Sequence, residues 1–287
     1  MAEVVKVGSE VTRIKVGDKV LWGPLRQSCG KCEWCLKGWT HACFQVDPVE
    51  KWLYGLYFGG YATHIQQPES HCFKAPEGLK LESLAPLMCA GVTTFTPLDQ
   101  YGAKGMKVGI LGIGGLGHLG AQFAAKMGME VHAFSTSDGN DDFFKSLGIV
   151  KSVNWKKEKL SNYAHQYDIL LNCLPVVMKE EELGQLLNCL KPYGKFINVG
   201  LSDIKDKLIV QQFNLVNGDL SIIGSQVGGV YQTEKMLEFA AKHKVECLIE
   251  MFSWEDFPKA LDKLEHGKPR FRCVVNVDEE SKKFVKK

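Results

Sequence analysis

Four cysteines lie close together at Cys29, Cys32, Cys35 and Cys43, with the spacing C-x2-C-x2-C-x7-C. Cysteines two residues apart can surround one ion, and the fourth can complete a tetrahedron from a short loop. Four thiolates in tetrahedral geometry suit zinc, and a set with no open coordination position is structural rather than catalytic. The spacing therefore predicts one structural zinc ion.

Two alternatives compete with this interpretation. Four unrelated cysteines are one, although the regular spacing disfavours it. An iron–sulfur cluster is the other, because bacterial ferredoxins use a C-x2-C-x2-C-x3-C-P run. Here the last gap is seven residues and Phe44, not proline, follows Cys43. Zinc is the better prediction.

Composition limits the class of protein. A chain of 287 residues with 45% hydrophobic and 24% charged residues is typical of a globular protein of about two domains. A net charge of +2 gives no reason to expect nucleic acid or a membrane surface as partner. Ten cysteines with no apolar leader or membrane-length run indicate a reducing, cytoplasmic location. The basic residues 281–287 are expected to form a solvated tail.

The pattern of apolar residues changes near Leu84. Before it, short β-like runs at 2–7, 19–22 and 61–66 predict a loop-rich β domain that carries the cysteines. After it, predicted strands alternate with helices, which is typical of a doubly wound parallel α/β sheet. The predicted strands are 107–111, 130–134, 168–171, 195–199, 220–224 and 271–277. The predicted helices are 118–127, 141–147, 181–190, 232–242 and 254–265.

A glycine-rich turn follows the first of these strands. It contains Gly112, Gly114, Gly115, Leu116 and Gly117, and a predicted helix begins directly after it. Such a turn lets backbone N–H groups approach a pyrophosphate at the positive end of a helix. An ordinary tight turn is the alternative, but the strand–turn–helix context favours a dinucleotide.

The end of the next strand bears on which dinucleotide binds. NAD enzymes usually place an acidic residue there to hold the ribose 2′-hydroxyl. This chain has Ser135, Thr136 and Ser137 instead. A small hydroxyl leaves room for a 2′-phosphate, which a carboxylate would repel, so NADP is predicted. A serine-rich turn without a ligand is the alternative, and Asp138 follows with no basic residue before Lys145.

Taken together, these motifs resemble the zinc-dependent medium-chain alcohol dehydrogenases, in particular their cinnamyl alcohol dehydrogenase branch. The resemblance runs along nearly the whole chain, through V-G-D-K-V (16–20), the four cysteines, G-G-Y-A (59–62), A-P-L-M-C-A-G-V-T (85–93), the glycine turn and R-F-R (270–272). It implies a GroES-like domain at 1–88 and 228–287 around a Rossmann domain at 89–227. It also implies a homodimer formed through the Rossmann sheet, and interconversion of an alcohol and an aldehyde.

The resemblance also implies residue roles. Thr93 would lie near the nicotinamide, and Ser135, Thr136 and Ser137 would face the ribose phosphate. Gly200, Ser225, Gln226 and Val227 would line the nicotinamide pocket. The pattern alone predicts that Cys89 is a small, buried apolar residue, whereas the family resemblance implies that it is a ligand of the catalytic zinc.

The family's other catalytic-zinc ligands come from C-H-S-D and G-H-E segments that would precede Ala2. Met1 falls almost immediately after that place, so the chain is interpreted as truncated at its N-terminus. His41, His64 and His71 are not expected to substitute. One thiolate cannot hold a catalytic zinc, so metal is expected only at the four cysteines, with little activity.

The leading hypothesis is therefore an alcohol dehydrogenase or aldehyde reductase that depends on zinc and NADP and is impaired by the lost ligands. The alternative is a non-catalytic dinucleotide- and zinc-binding protein that acts as a subunit. A zinc-ribbon interaction module is a remote third, since it would not need the glycine turn.

Overall fold

The computed structural model describes residues 1–53, 59–136, 141–203, 205–266 and 269–277. The strands in this part of the chain are β1 (Ala2–Glu3), β2 (Lys19–Leu21), β3 (Phe73–Lys74), β4 (Lys107–Leu111), β5 (Glu130–Ser135), β6 (Ile149–Asn154), β7 (Tyr167–Asn172), β8 (Leu190–Asn198), β9 (Ser221–Gly224), β10 (Ile249–Phe252) and β11 (Arg272–Val275).

The α-helices are α1 (Glu33–Leu36), α2 (Pro48–Lys51), α3 (Leu81–Pro86), α4 (Val92–Tyr101), α5 (Gly117–Lys126), α6 (Asp141–Ser146), α7 (Glu180–Asn188), α8 (Gln212–Val216), α9 (Val230–His243) and α10 (Phe257–Glu265). Short 3-10 turns occur at Thr40–Ala42, Glu69–His71 and Leu160–Tyr163, and a π-helical turn at Leu87–Gly91 joins α3 to α4. Among the described residues, no helix is both long and apolar enough to cross a membrane.

The chain divides into two compact units, one formed by 1–92 and 227–287 and the other by 93–226. In the described part of the second unit, six parallel strands pair in the order β6-β5-β4-β7-β8-β9. The chain first winds outward from β4 through β5 to β6, then returns to the other side of β4 and winds through β7 to β9. This doubly wound order confirms the predicted Rossmann-type α/β fold.

The sheet forms because its strands are apolar and covered by helices. In β4, all residues after Lys107 are buried, as expected for a central parallel strand. One side of the core is aromatic. The ring centroids of Phe134 and Tyr167 lie 5.2 Å apart there in an edge-to-face contact. Leu183, Leu186 and Leu187 on one face of α7 pack into the same core. Burial of these side chains holds the carboxyl ends of the strands in place.

The first unit contains the antiparallel sheet β1-β2-β3 and the parallel pair β10-β11. The predicted run at 2–7 is a strand only at Ala2–Glu3, and the strand predicted at 61–66 is wrong, because those residues form bends and coil. The predicted closing strand is shorter, at Arg272–Val275. Strands β3, β6 and β10 and helices α1, α2, α3, α4 and α8 were not predicted. Most of the other predicted elements are confirmed within a few residues, and β4 at both ends.

Candidate functional site

The four cysteines predicted to bind metal meet in one cluster. Their Sγ atoms all lie within 4.8 Å of one another. The Sγ of Cys35 is 3.5 Å from that of Cys32 and 3.9 Å from that of Cys29. A tetrahedral zinc ion with Zn–S bonds of about 2.3 Å needs sulfur atoms about 3.8 Å apart. The cluster therefore has the dimensions and donor chemistry for zinc.

Local backbone geometry explains how the chain closes on itself here. Gly30 and Gly38 have φ angles of +69° and +80°, which glycine adopts without a Cβ clash. Gly30 turns the chain after the first cysteine, and Gly38 ends the short helix that carries Cys35. The backbone N–H of Cys32 donates to the Sγ of Cys29 at 3.3 Å. Such N–H···S bonds favour a thiolate over a thiol.

The thiols of this cluster differ in acidity. Backbone N–H groups, that of Lys31 above all, lower the pKa of Cys29 to about 6. Burial raises the pKa of Cys35 to about 12. Four thiolates so close together cannot all be charged without a cation, so the arrangement favours one bound metal ion. The buried Lys51 lies beside the cluster and was not predicted from the sequence.

The predicted dinucleotide turn joins β4 to α5. Gly112 has a φ of +83°, and a Cβ there would lie 2.5 Å from the Cδ2 of Leu174. A Cβ on Gly117 would meet the carbonyl oxygen of Gly112 at 1.9 Å, so only glycine lets the helix start this close to the strand. A Cβ on Gly114 would meet no atom within 4 Å. Gly114 is thus an open position in the turn, where a phosphate can approach the backbone.

Other predicted cofactor residues lie at the carboxyl ends of neighbouring strands. Ser135 ends β5 half-buried and Thr136 follows exposed, while Ser137 lies outside the described residues. Gly200 follows β8, and its N–H donates to the carbonyl of Asn172 at 3.0 Å. The N–H of Ser225, just after β9, donates to the carbonyl of Asn198 at 3.1 Å. In parallel sheets this edge is where ligands bind.

An asparagine pair links two of these strand ends and was not predicted. The Asn172 Nδ2 group donates to the Oδ1 of Asn198 at 2.6 Å, and Asn198 Nδ2 donates to the carbonyl of Gly200 at 3.0 Å. A Cβ on Gly200 would lie 2.1 Å from the carbonyl oxygen of Leu174. The pair and the glycine together fix the backbone after β7 and β8. Asparagines at the ends of two predicted strands were the available signal.

Three further residues were predicted to contact the cofactor. Thr93 is buried near the start of α4, and Gln226 is exposed beyond β9. Val227 has a φ of +37°, a left-handed conformation that β-branched residues adopt at a cost of about 1–3 kcal/mol. Such local strain is concentrated at functional segments.

Cys89 lies in the π-helical turn Leu87–Gly91 with its side chain exposed. Surrounding protein atoms desolvate the thiol and raise its pKa, and the charge of Arg272 acts in the opposite direction. Among the described residues, the four-cysteine cluster is the only group of three or more His, Cys, Asp or Glu side chains close enough to bind one ion. The residues described around Cys89 therefore do not fit a catalytic zinc.

The three histidines considered as substitutes lie in different settings. His64 is exposed, and its ring contacts Thr63. His41 stacks on Trp39 with ring centroids 6.1 Å apart. His71 is buried, and its Nδ1 lies 2.9 Å from the Oγ of Ser70. His71 also lines a small pocket within the first unit, together with Leu25 and Phe73.

Two family profiles match the chain. The profile "Alcohol dehydrogenase GroES-like domain" matches residues 1–77, and the profile "Zinc-binding dehydrogenase" matches residues 115–242. The chain is 36% identical to a probable cinnamyl alcohol dehydrogenase of Oryza sativa subsp. japonica, over 96% of this chain and 75% of that protein.

Solved structures show the same likeness. A cinnamyl alcohol dehydrogenase from Sorghum bicolor superposes with a TM-score of 0.84 at 30% identity, over 96% of this chain and 79% of that one. A second such enzyme, from Helicobacter pylori and complexed with NADP(H), has a TM-score of 0.84 at 28% identity, with the same coverage.

Proposed function

This chain belongs to the zinc-dependent alcohol dehydrogenase family, on its cinnamyl alcohol dehydrogenase side, and from that premise we propose that it binds NADP(H) and one structural zinc ion. Family members are oxidoreductases that act on CH–OH groups, so its substrate class is a small alcohol or aldehyde. In this proposal, 89–227 form the cofactor domain, and 1–88 with 228–287 form the substrate domain.

The observation that carries the cofactor proposal is the turn between β4 and α5. NADPH, when bound, supplies the hydride that reduces an aldehyde. The protein's own contribution is to bind and orient it. Backbone N–H groups at Gly114–Gly117 would hold the pyrophosphate, and Ser135 and Thr136 would donate hydroxyls to the 2′-phosphate. Gly200 and Ser225, which follow β8 and β9, would lie beside the nicotinamide end.

The zinc proposal rests on the four cysteines, whose sulfur spacing fits one tetrahedral ion. Thiolates in a closed set have no position for a substrate, so this zinc is structural. Cys89 by itself has one ligand atom to offer. We therefore propose that this chain holds one zinc ion tightly and reduces aldehydes slowly or not at all.

A second candidate follows from the same observation at Cys89. A chain that retains the cofactor turn and the structural zinc but lacks further ligands among its described residues could act as a non-catalytic, dinucleotide-binding subunit. Zinc content separates the two candidates, because a competent enzyme of this family type needs a second, catalytic zinc ion.

The decisive experiment combines three measurements on the purified chain: zinc content by mass spectrometry, NADPH binding by nicotinamide fluorescence, and NADPH oxidation with cinnamaldehyde. We expect one zinc ion, NADPH binding and little turnover. Two tightly bound zinc ions with rapid turnover would show that the account of Cys89 is wrong. Failure to bind either NADPH or NADH would contradict the cofactor proposal.

Dimerisation is also part of the proposal. Strand β9 is one of the two outer strands of the described six-stranded sheet, and the preceding helix α8 exposes Phe213 and Val216, at 73% and 77% of their surface. An open strand edge with apolar neighbours can pair with a second copy. We expect a dimer by light scattering, and a monomer for Ile223→Lys. A monomeric parent chain would contradict this part of the proposal.

A further inference from the structure

Lys51 is a charged side chain in an unusual place. It is the last residue of α2, and only 6% of its surface is exposed. Lysine is rarely buried to this degree without a partner for its charge, because removing an ammonium group from water is costly. The groups around Lys51 must therefore compensate the cost of burying its charge.

The ammonium group points at the loop that carries the fourth cysteine. Its Nζ donates to the carbonyl oxygen of Cys43 at 2.8 Å and also to that of His41. It lies 5.3 Å from the ring centre of Trp52 and 5.5 Å from that of Phe44. The two carbonyls and two aromatic faces supply partial negative charge, but no full counter-charge.

Within the described ranges, no carboxylate lies at ion-pair distance from Lys51. Burial lowers the pKa of Lys51, and negative charge on the nearby cysteines Cys43, Cys35 and Cys32 opposes that shift. The counter-charge of this buried cation is therefore the cysteine cluster itself.

The backbone of Lys51 is tied to the other end of the cluster. Its carbonyl accepts a hydrogen bond from the N–H of Arg26 at 2.8 Å, and Leu53 N–H donates to the carbonyl of Pro24, also at 2.8 Å. These contacts join α2 to the segment that leads into Cys29. Lys51 thus connects the segment before the first cysteine with the loop of the fourth.

We propose that Lys51 is the charge-balancing and positioning residue of the zinc site. The inference rests on the proposed zinc ion at the four cysteines. Zinc binding releases the protons of the remaining thiols and leaves four thiolates around a divalent ion, a net charge of −2. The Lys51 ammonium offsets one of these charges from inside the protein, and its hydrogen bonds hold Cys43 in ligating position.

Two consequences follow. Without the lysine charge, the buried dianionic centre is less stable, so zinc binds more weakly. Without zinc, no ion holds the four cysteines together, so the loop whose carbonyl groups accept the Lys51 hydrogen bonds loosens and the ammonium becomes accessible to solvent. Residues beside metal ligands typically change metal affinity by about 10–100-fold when replaced.

The test compares three variants of the full chain. Lys51→Met removes the charge and the hydrogen bonds, whereas Lys51→Gln keeps an N–H donor without the charge. Lys37→Met is the matched control, because Lys37 lies between Cys35 and Cys43 in the sequence but is exposed and pairs with Glu33. Zinc affinity is measured by competition with a chromogenic chelator, and cobalt substitution reports the tetrahedral thiolate geometry through its absorption bands.

We expect zinc affinity to fall at least tenfold in Lys51→Met and Lys51→Gln and to stay unchanged in Lys37→Met. Zinc should also leave both Lys51 variants at a higher pH during acid titration. A Lys51→Met chain that binds zinc as tightly as the parent would overturn the inference. If a Cys43→Ser variant binds as much zinc as the parent chain, the underlying zinc proposal is overturned instead.

A measurement on the parent chain covers the case in which the variants fail to fold. Amine acetylation followed by peptide mass spectrometry reports the reactivity of each lysine. We expect Lys51 to react slowly with zinc bound and much faster after chelation, while Lys37 reacts equally in both states. Equal reactivity of Lys51 with and without zinc would contradict the role of the thiolates as its counter-charge.

Discussion

Gly117 lies so close to Gly112 that a Cβ at position 117 would approach the Gly112 carbonyl oxygen to 1.9 Å. This contact brings the first turn of α5 against the end of β4, and the N-terminus of the helix toward the open backbone at Gly114. The strand and the helix can meet in this way only without a side chain at 117. The proposed phosphate site depends on that approach.

Gly117→Ala should therefore disrupt the turn. The backbone contact cannot be relieved by rotating a side chain, so we expect a loss of about 2 kcal/mol or more in stability and a loss of NADPH binding. Thermal unfolding and fluorescence titration measure the two effects. Gly114→Ala is the control for stability, because its Cβ meets no atom within 4 Å. Equal melting temperatures for the two variants would contradict this account.

Ser135→Asp should change the preferred cofactor. A carboxylate at the end of β5 repels a 2′-phosphate and can accept a hydrogen bond from a ribose 2′-hydroxyl. We expect NADPH affinity to fall roughly tenfold and NADH affinity to rise, since a close charge pair is worth about 1 kcal/mol or more. Fluorescence titrations with both cofactors give the ratio. Ser135→Ala should weaken NADPH less, and an unchanged ratio in Ser135→Asp would show that Ser135 does not face the phosphate.

Zinc content should depend on Cys43 and not on Cys89. Cys43→Ser removes the buried one of the four ligands, so we expect the zinc ion to be lost and residues 29–43 to become sensitive to protease. Cys89→Ser removes an exposed thiol and should leave one zinc ion per chain. Metal analysis after gel filtration distinguishes the variants. Loss of zinc in Cys89→Ser would show that Cys89 binds a metal ion, which would contradict the proposal.

Stability should fall in mild acid because of His71. Burial, and secondarily the charge of Arg26, lowers the pKa of His71 to about 4. Between pH 6.5 and 4 the unfolded chain binds a proton that the folded chain does not, so stability is full above this window and is lost as pH falls through it. The shift corresponds to about 3 kcal/mol at most.

The matched variants are His71→Phe and His64→Gln. His71→Phe removes the buried titrating group. Between pH 7 and 4.5 its melting temperature should fall less than that of the parent chain, by on the order of 5 °C. His64→Gln changes an exposed histidine and should follow the parent chain. Parallel melting curves for the parent and His71→Phe would show that the proton on His71 has no part in the acid sensitivity.

The sequence identified features that depend on neighbours along the chain. The cysteine spacing, the glycine turn and the hydroxyl residues at the end of β5 are local, and the alternation of apolar strands and helices predicted the doubly wound sheet. Short strands outside the large parallel sheet were harder to predict from the sequence. The run at 61–66 has β-like residues but pairs with no strand among the described residues, and short β10 forms through its parallel pairing with β11. Pairing partners distant in sequence decide such cases.

The sequence by itself determined which chemical groups this protein has for zinc and a dinucleotide, because ligand spacing and backbone turns are set within a few residues. Only the tertiary structure decided how those groups are supported. It buries Lys51 beside the cysteines, places Asn172 against Asn198, and leaves Cys89 exposed on a π-helical turn. Burial and charge compensation arise from segments far apart in the chain, and residue spacing carries no information about them.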